Sequence, residues 1–255
     1  CGVENVQKRN LPNRSPIEFN KYPWIANIQL TVGTQYWNIS GSVINQRYIL
    51  TVSLGVVLPP ENIKVFVGRH KHTELKHSFR VEKIISHENF GTTKRQHNND
   101  IALLKLDTEI KFNDKMRPIC LPTEDMKLFD NFVLVSKGNT ISEKGEKVQG
   151  NSMQEIFMHS VDFNECKKMY PNYIFKYPYK LKDEMHMCAS SNAKHICKGD
   201  YGAALMYKQK GKLFIAGMAS FAKELCSEKP AVFTNIIHYL PWINENTKDI
   251  KYCAN

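Results

Sequence analysis

The sequence has no apolar run of about 18 residues, the length that a membrane-spanning helix needs. It also has no low-complexity stretch, no Gly/Ser/Pro-rich linker and no internal repeat with a period of roughly 20 to 50 residues. The chain begins at Cys1 without the charged and apolar regions of a signal peptide, so we expect a mature chain. These absences argue against a membrane span and a repeat protein, and they favour one compact unit.

The cysteines are widely spaced, and none belongs to a C-x-x-C pair of the kind that binds zinc. The seven positions are Cys1, Cys120, Cys166, Cys188, Cys197, Cys226 and Cys253. This usage favours disulfides formed in an oxidising compartment and therefore predicts a secreted, extracellular protein with no metal site and no cofactor. The sequons that begin at Asn13 and Asn38 are candidate N-glycosylation sites, as expected for a secreted chain.

The charge balance is strongly basic, with 35 Lys and Arg against 25 Asp and Glu, a net charge of +10. Such a chain attracts anionic partners: heparin-like glycans, acidic protein surfaces or anionic lipid head groups. Nucleic acid is not expected for a secreted protein. Hydrophobic residues make up 42% of the 255, which is enough to bury a substantial core.

Short β-branched and aromatic runs recur along the chain, and turn residues separate them. Examples are the ranges 24–30, 63–67, 101–106 and 213–217. Helical patterning is clear only at about 238–248, with a shorter candidate at 162–170 in which Asp162 caps the first turn. The pattern predicts an all-β barrel or sandwich with a terminal helix.

Seven segments, in order, resemble the chymotrypsin-like serine protease family. They are Tyr22-Pro23-Trp24, Gly41-Ser42-Val43-Ile44, Tyr48-Ile49-Leu50-Thr51, Asn99-Asp100-Ile101-Ala102-Leu103-Leu104, Arg117-Pro118-Ile119-Cys120-Leu121-Pro122, Cys197-Lys198-Gly199-Asp200 and Pro230-Ala231-Val232-Phe233-Thr234. The resemblance runs from Cys1 to about Asn246 and implies two packed six-stranded β-barrels with a cleft between them and a C-terminal α-helix. It also implies a pro-segment-like tether at 1–10 and a protease-like domain at 11–255, with subdomains at roughly 11–120 and 121–237.

Two of the three residues that perform catalysis in this family are replaced. The segment 50–55 resembles the family's Leu-Thr-Ala-Ala-His-Cys and places Leu54 at the general base, where leucine cannot accept a proton. The segment 199–204 resembles Gly-Asp-Ser-Gly-Gly-Pro and places Tyr201 at the nucleophile. Asp100 retains the third position. The resemblance therefore implies an inactive serine protease homologue, a pseudoprotease, and no histidine elsewhere matches the missing base.

The pocket positions differ from the family pattern as well. The resemblance places His195 at the base of the primary pocket, where a trypsin-like member carries aspartate, and Ala222 and Ala231 where the family has pocket-wall glycines. Gly199 keeps one oxyanion-hole position, and Ser220 matches a serine beside the family aspartate. We expect Ser220 to hydrogen-bond a buried Asp100, and the added side chains to obstruct substrate entry.

The junction at which family members are cleaved during maturation is also altered. It corresponds here to Asn10-Leu11, which Pro12 follows, with Arg9 one residue out of register and Arg14 at a position normally held by glycine. We expect the chain to stay uncleaved and zymogen-like, with Asp200 paired to a group other than a new N-terminus.

The resemblance implies three disulfides: Cys1–Cys120, Cys166–Cys188 and Cys197–Cys226. Cys253 is left over and is free to pair with another chain, to form a mixed disulfide or to compete for Cys1. The family bridge beside the catalytic histidine is missing at both ends, where Ile39 and Gly55 stand.

Two groups of basic residues are candidate exosites. Within the segment 68–80, which resembles a calcium-binding loop of trypsins and a protein-binding exosite of thrombin, they are Arg69, Lys71, Lys76 and Arg80. A basic residue at position 69 disfavours calcium. A candidate heparin-binding group on a second face comprises Lys94, Arg95, Lys127, Lys248 and Lys251. The alternative for both groups is a solvated basic surface without a partner.

The functional hypothesis is a secreted, non-catalytic homologue that binds a component of a proteolytic cascade or an anionic glycan. Arthropod pseudoproteases are the nearest analogy, and modulation of host complement or coagulation, a form of immune evasion, is the leading specific role. The alternatives are a non-catalytic cofactor of an arthropod immune cascade of the prophenoloxidase type, a hydrolase with an unconventional nucleophile, and a scaffold linked through Cys253.

Overall fold

A computed structural model describes most of the chain. It covers residues 1–5, 20–68, 77–91, 97–126, 130–136, 140–141, 147–148, 153–170, 173–174, 177–178, 181–191, 200–222, 229–250 and 252. Within these ranges the chain forms sixteen β-strands and two α-helices.

The first half of the chain forms a closed antiparallel barrel of six strands in the order β1-β2-β3-β6-β5-β4. The strands are β1 (Ile25–Val32), β2 (Gln35–Val43), β3 (Tyr48–Thr51), β4 (Ile63–Val67), β5 (Ser78–Ser86) and β6 (Ala102–Leu106). Leu30 is fully buried and its neighbour Thr31 is exposed, as expected for a strand with one face on a core. Closure leaves β1 paired on both edges, to β2 and to β4.

The second half forms another closed six-stranded barrel, in the order β10-β13-β16-β15-β14-β7. Its strands are β7 (Asn131–Ser136), β10 (Gln154–Ser160), β13 (His186–Ser190), β14 (Ala204–Gln209), β15 (Lys212–Phe221) and β16 (Ala231–Asn235). Two small antiparallel pairs lie outside this barrel: β8 (Thr140–Ile141) with β9 (Lys147–Val148), and β11 (Tyr173–Ile174) with β12 (Tyr177–Pro178). The prediction of two six-stranded barrels is confirmed.

Two α-helices accompany the barrels. In α1 (Phe163–Met169) the Asp162 carboxylate accepts hydrogen bonds from the first free backbone N–H groups, as predicted. The terminal helix, α2 (Ile236–Asn246), begins two residues before the predicted range because the Asn235 side chain caps it by accepting from Ile237 N. Within the described residues, no helix is long and apolar enough to span a bilayer.

The barrels are joined by contacts that also define the cleft between them. Trp24 Nε1 lies 3.2 Å from Met206 Sδ, and Tyr22 donates to Glu155 of β10 at 2.6 Å. At the cleft, the Ser40 N–H donates to the carbonyl of Tyr201 at 2.8 Å. These bonds fix β2 of the first barrel against the turn that precedes β14 of the second.

Two disulfides are present among the described cysteines, Cys1–Cys120 and Cys166–Cys188, the pairs that the resemblance implies. The first ties the N-terminus to the connection between the barrels, where Gly2 N donates to Pro118 O and Leu213 N donates to Gly2 O. The second joins α1 to β13. Cys197, Cys226 and Cys253 lie outside the described residues.

Candidate functional site

The three positions at which the resemblance places a catalytic group come together at the cleft. Leu54 lies in a 3₁₀ turn (Ser53–Gly55) that follows β3, Asp100 precedes β6, and Tyr201 lies in the turn before β14. The first two belong to one barrel and the third to the other. The fold thus brings together the three positions that the family resemblance assigns to catalysis.

Asp100 is completely buried, and both oxygens of its carboxylate are hydrogen-bonded. Oδ1 accepts from the Leu54 backbone N–H at 2.7 Å, and Oδ2 accepts from Ser220 Oγ at 2.5 Å. Burial raises the pKa of this carboxyl to about 6, and the bonds from Ser220, Leu54 and Ser53 oppose that rise. Hydrogen bonds from Ser220 and from backbone amides satisfy the buried carboxylate without any imidazole.

The backbone around Asp100 is held from the second barrel. Thr234 Oγ1 of β16 donates to the Asp100 carbonyl at 2.8 Å. Asn99 adopts a left-handed conformation, with φ of 56°, and its side-chain oxygen accepts from Tyr239 of α2 at 3.1 Å. The terminal helix therefore buttresses the segment that positions the aspartate.

Tyr201 is half-buried, and its ring packs against the core cluster that lies largely in the first barrel. Burial raises the pKa of its hydroxyl, and the nearby Asp100 carboxylate raises it further. The following residue, Gly202, has φ of +76°, and a Cβ there would lie 2.1 Å from Ser40 O, so this turn requires glycine.

Aromatic rings pack together close to Asp100. The imidazole of His97 lies 4.5 Å from the ring of Phe221, inclined by 33°, and Tyr170 meets the same ring edge-on at 5.7 Å. Phe221 directly follows Ser220 in β15. Ala222 and Ala231, at the pocket-wall positions, are buried and pack in the core cluster of the second barrel. Side chains therefore fill space along this face of the cleft.

Several predicted site residues lie outside the described residues. They are the pocket positions His195 and Gly199, the basic residues Arg69, Lys71, Lys76, Lys94, Arg95, Lys127 and Lys251, the sequon Asn13 and the junction at 9–14. Of the basic residues that are described, Arg80 is largely exposed and its Nε bonds Asp107, while Lys248 pairs with Glu245. Among the described residues, no three His, Cys, Asp or Glu side chains form a group that could hold a metal ion.

Comparison with known proteins agrees with this architecture. The family model described as Trypsin matches residues 12–243. The chain belongs to the trypsin family. This trypsin-family chain is 27% identical over 266 residues to CLIP domain-containing serine protease B4 of Anopheles gambiae, an alignment that covers 96% of the chain and 72% of that protein.

Two further relatives show the range of similar proteins. Phenoloxidase-activating factor 3 of Holotrichia diomphalia is 28% identical over 274 residues, with 97% of this chain and 75% of the relative covered. Coagulation factor XI of Bos taurus is 28% identical over 265 residues, with 97% of this chain covered but only 40% of the factor. The trypsin-family chain thus spans less than half the length of the bovine protein.

Sequence reasoning missed two features of this trypsin-family site. The stack between His97 and Phe221 joins residues 124 positions apart in the chain, and its only local signal is a histidine three residues before Asp100. Ile39 and Gly55 were recognised as the positions of a missing bridge, but not as packing partners. In the structure the buried side chain of Ile39 lies against Gly55.

Proposed function

We propose that this chain is a non-catalytic, secreted member of the trypsin family that acts by binding a component of a proteolytic cascade. One observation carries the proposal. The Asp100 carboxylate, which in an active member orients the base, accepts the backbone N–H of Leu54 and the hydroxyl of Ser220, and the side chain at the position of the base is that of leucine. Leucine has no group that could transfer a proton, so the aspartate has no base to act through.

The environment of Tyr201 also supports a non-catalytic chain. A phenol is a nucleophile only as the phenolate, and burial together with the Asp100 charge raises the pKa of this hydroxyl. The imidazole of His97 stacks on Phe221, the residue after Ser220, and we propose that this packing leaves less room for an extended substrate. The base and the nucleophile act as a unit in this family, so the loss of both removes the rate enhancement that depends on their acting together.

The names of the relatives favour a role in a cascade. They include a phenoloxidase-activating factor and a coagulation factor. The leading specific role is modulation of host complement or coagulation, which would amount to immune evasion. The alternative within the same class is a cofactor of an arthropod phenoloxidase cascade, which the Holotrichia relative favours. Disulfides support an extracellular location.

The basic residues are the candidate contact points. Arg80 presents its side chain to solvent on β5 and opposes Lys64 across the sheet. Its Nε already pairs with Asp107, so an anionic partner would compete with Asp107 for Arg80 and would meet Lys64 beside it. Lys248 is a weaker candidate for heparin because Glu245 already pairs with its ammonium group.

The first experiment separates a binding protein from an enzyme. The pure chain is incubated with broad peptide libraries and with a serine-directed phosphonate probe. We expect neither turnover nor labelling. Turnover that Tyr201→Phe or Asp100→Asn abolishes would establish the rival hydrolase and reject the proposal.

The second experiment tests the basic exosite. Partners are captured from arthropod haemolymph and from vertebrate plasma with the wild type and with a variant in which Arg69, Lys71, Lys76 and Arg80 are changed to Ser. The matched control changes the exposed Lys167, Lys168, Lys208 and Lys210 to Ser and removes the same charge from the second barrel. We expect only the first variant to lose its partner. If every captured partner stays bound, the exosite hypothesis fails.

A further inference from the structure

The four residues from His97 to Asp100, which lead into β6, are all polar and all buried. Their exposed fractions lie between 0% and 9%. We refer to them as the 97–100 segment. The segment belongs to the first half of the chain, but its two ends contact strands of the second barrel. Buried polar groups are stable only with partners of matching chemistry, so these contacts decide whether the segment stays in place.

Each half of the chain contributes one imidazole to the contact at the start of this segment. The ring of His97 packs on Phe221 of β15, with the two centroids 4.5 Å apart. His186 of β13 lies on the second barrel, and its Nε2 is 3.5 Å from the carbonyl oxygen of His97. His97 is 8% exposed and His186 is 2% exposed. Two buried histidines therefore hold the start of the segment against the second barrel.

The other end of the segment is bound by groups without an imidazole. Thr234 is the direct partner of His186 in the β13–β16 ladder, so the two side chains lie on the same face of the sheet. Thr234 Oγ1 donates to the Asp100 carbonyl at 2.8 Å, and Ser220 Oγ donates to the Asp100 carboxylate. The second barrel therefore holds the segment at both ends, with histidines at one end and hydroxyl groups at the other.

The groups that face the two imidazoles do not offset the cost of charging them. Burial, and after it the charge of His186, lower the pKa of His97 to about 4. Burial also lowers the pKa of His186, although the carbonyl oxygens of Lys182 and His97 and the carboxylate of Glu184 favour its charged form, and His238 opposes that form as well. Glu184 and His238 are exposed, so solvent and salt weaken their effects.

The remaining facing groups are acids that cannot become anions as the pH falls. Tyr170, which meets Phe221 edge-on, is a phenol and is neutral in acid. Burial raises the pKa of the Asp100 carboxyl to about 6, so in the folded chain this group becomes neutral before His97 becomes charged. Between about pH 6 and pH 4 the segment therefore loses its negative charge and meets a growing tendency of two buried imidazoles to ionise.

We propose that His97 and His186 form an acid-operated latch: in acid the His97 end of the 97–100 segment leaves the second barrel, while its Asp100 end stays bound. Both imidazoles have a pKa below the ordinary 6.5 when the segment is in place, so the closed contact is favoured above about pH 6.5 and loses stability as the pH falls towards 4. The Asp100 end responds in the opposite direction, because burial favours the neutral carboxyl that acid produces.

Contacts elsewhere keep the barrels together when the latch opens. Trp24 Nε1 lies 3.2 Å from Met206 Sδ, and the Ser40 N–H donates to the Tyr201 carbonyl at 2.8 Å. An indole, a thioether and backbone groups do not titrate between pH 7 and pH 4. The opening is therefore local: one end of a short segment moves, and both barrels stay folded.

The test places a single 4-fluorophenylalanine at position 221 of the full chain and follows it by fluorine NMR from pH 7 to pH 4.5. Phe221 is 4% exposed beneath His97, so its fluorine becomes accessible to a soluble paramagnetic chelate only when the latch opens. We expect the open population, measured by saturation transfer and by paramagnetic broadening, to rise at least about tenfold. The same probe at Phe233, which is fully buried in β16, should not change.

Two variants test whether the imidazoles cause the opening. His97→Phe keeps a ring on Phe221 but cannot titrate, so the rise at position 221 should disappear. His186→Gln removes the neighbouring charge and should reduce the rise. The matched control is His159→Gln, which removes an exposed histidine from β10 and should behave as the wild type.

Three results would reject the latch. They are a Phe221 fluorine that stays inaccessible down to pH 4.5, a Phe233 probe that changes together with it, and a rise that persists in His97→Phe. If that variant does not fold, the wild-type profile decides, because opening that begins above about pH 6.5 would precede the titration of any histidine with a lowered pKa. Rejection would leave the proposed non-catalytic role unaffected, since no step of this test measures turnover or partner binding.

Discussion

Ile39 and Gly55 fit each other as a large and a small residue across the base of the Leu54 turn. They stand at the two positions where the family resemblance places a disulfide, and a Cβ on Gly55 would lie 2.4 Å from Ile39 Cδ1. Ile39 is 3% exposed. Close packing therefore occupies the place where the resemblance implies a covalent bond, and it acts together with the bonds of Ser53 to Ile101 O and of Leu54 N to Asp100 in positioning the turn.

Gly55→Ala should lower the free energy of unfolding by about 1–3 kcal/mol, because the new methyl group overlaps Ile39 and the site is closely packed. Urea denaturation measures the change. In an Ile39→Ala background the same substitution should cost much less, since the overlapping methyl is gone and the backbone of Gly55 is not in the left-handed region. An equal cost in both backgrounds would show that the two residues do not interact.

The pKa of Asp100 predicts a pH dependence of stability. This pKa is about 6 in the folded chain against an ordinary value of 3.8, with burial as the main cause. The folded state therefore binds the proton more tightly than the unfolded state. The resulting contribution to stability is present below about pH 4 and is lost as the pH rises through 6, and it amounts to about 3 kcal/mol.

Carbon NMR of the Asp100 carboxyl measures this pKa directly. Ser220→Ala removes a hydrogen bond that favours the ionised form, so we expect the pKa to rise above 6 in that variant. A pKa near 4 in the wild type, or one that Ser220→Ala does not move, would contradict the assignment of burial and the Ser220 bond as the opposing causes.

The titration of His97 changes the stability of the folded chain in the opposite direction to that of Asp100, over the same pH range. Burial, and to a smaller extent the neighbouring His186, lower the pKa of His97 from 6.5 to about 4. Its neutral form contributes stability above pH 6.5 that is lost as the pH falls through 4. His97→Phe keeps a ring on Phe221 but cannot titrate, so stability measured from pH 7 to pH 4 should fall less in this variant than in the wild type. If stability falls equally with pH in His97→Phe and in the wild type, His97 is accessible to protons in the folded chain.

Placing histidine at position 54 and serine at position 201 should not produce a normal protease. Leu54→His with Tyr201→Ser supplies a base and a nucleophile, but the stack of His97 on Phe221 and the buried side chains of Ala222 and Ala231 remain. We expect hydrolysis of fluorogenic peptides to stay at least about a hundredfold below that of an active relative, since misplaced substrate alone has this effect. Turnover near that of an active relative would show that the cleft is open.

Individual strands were predictable because their evidence is local, whereas the two barrels were implied by the family resemblance. The apolar runs at 24–30 and 63–67 correspond to β1 and β4, and the cap at Asp162 begins α1 as expected. The end of the terminal helix was predicted less well. Lys248 lies beyond it, because the chain leaves the helix at Thr247, whose side chain donates to Ile243 O at 2.7 Å. A helical pattern continues past that point in the sequence and does not reveal this bond.

The amino-acid sequence alone determined which chemical groups are available: leucine and tyrosine at two of the three positions that the family resemblance assigns to catalysis, seven cysteines, and a segment of 22–60 with a single charge. Side-chain identity is a property of the chain, so no structure was needed for it. Only the tertiary structure decided that Ser220 and a backbone amide satisfy Asp100, that His97 stacks on Phe221 and that Ile39 packs on Gly55. Each of these contacts joins residues distant in sequence, and their distances depend on how two barrels close and meet.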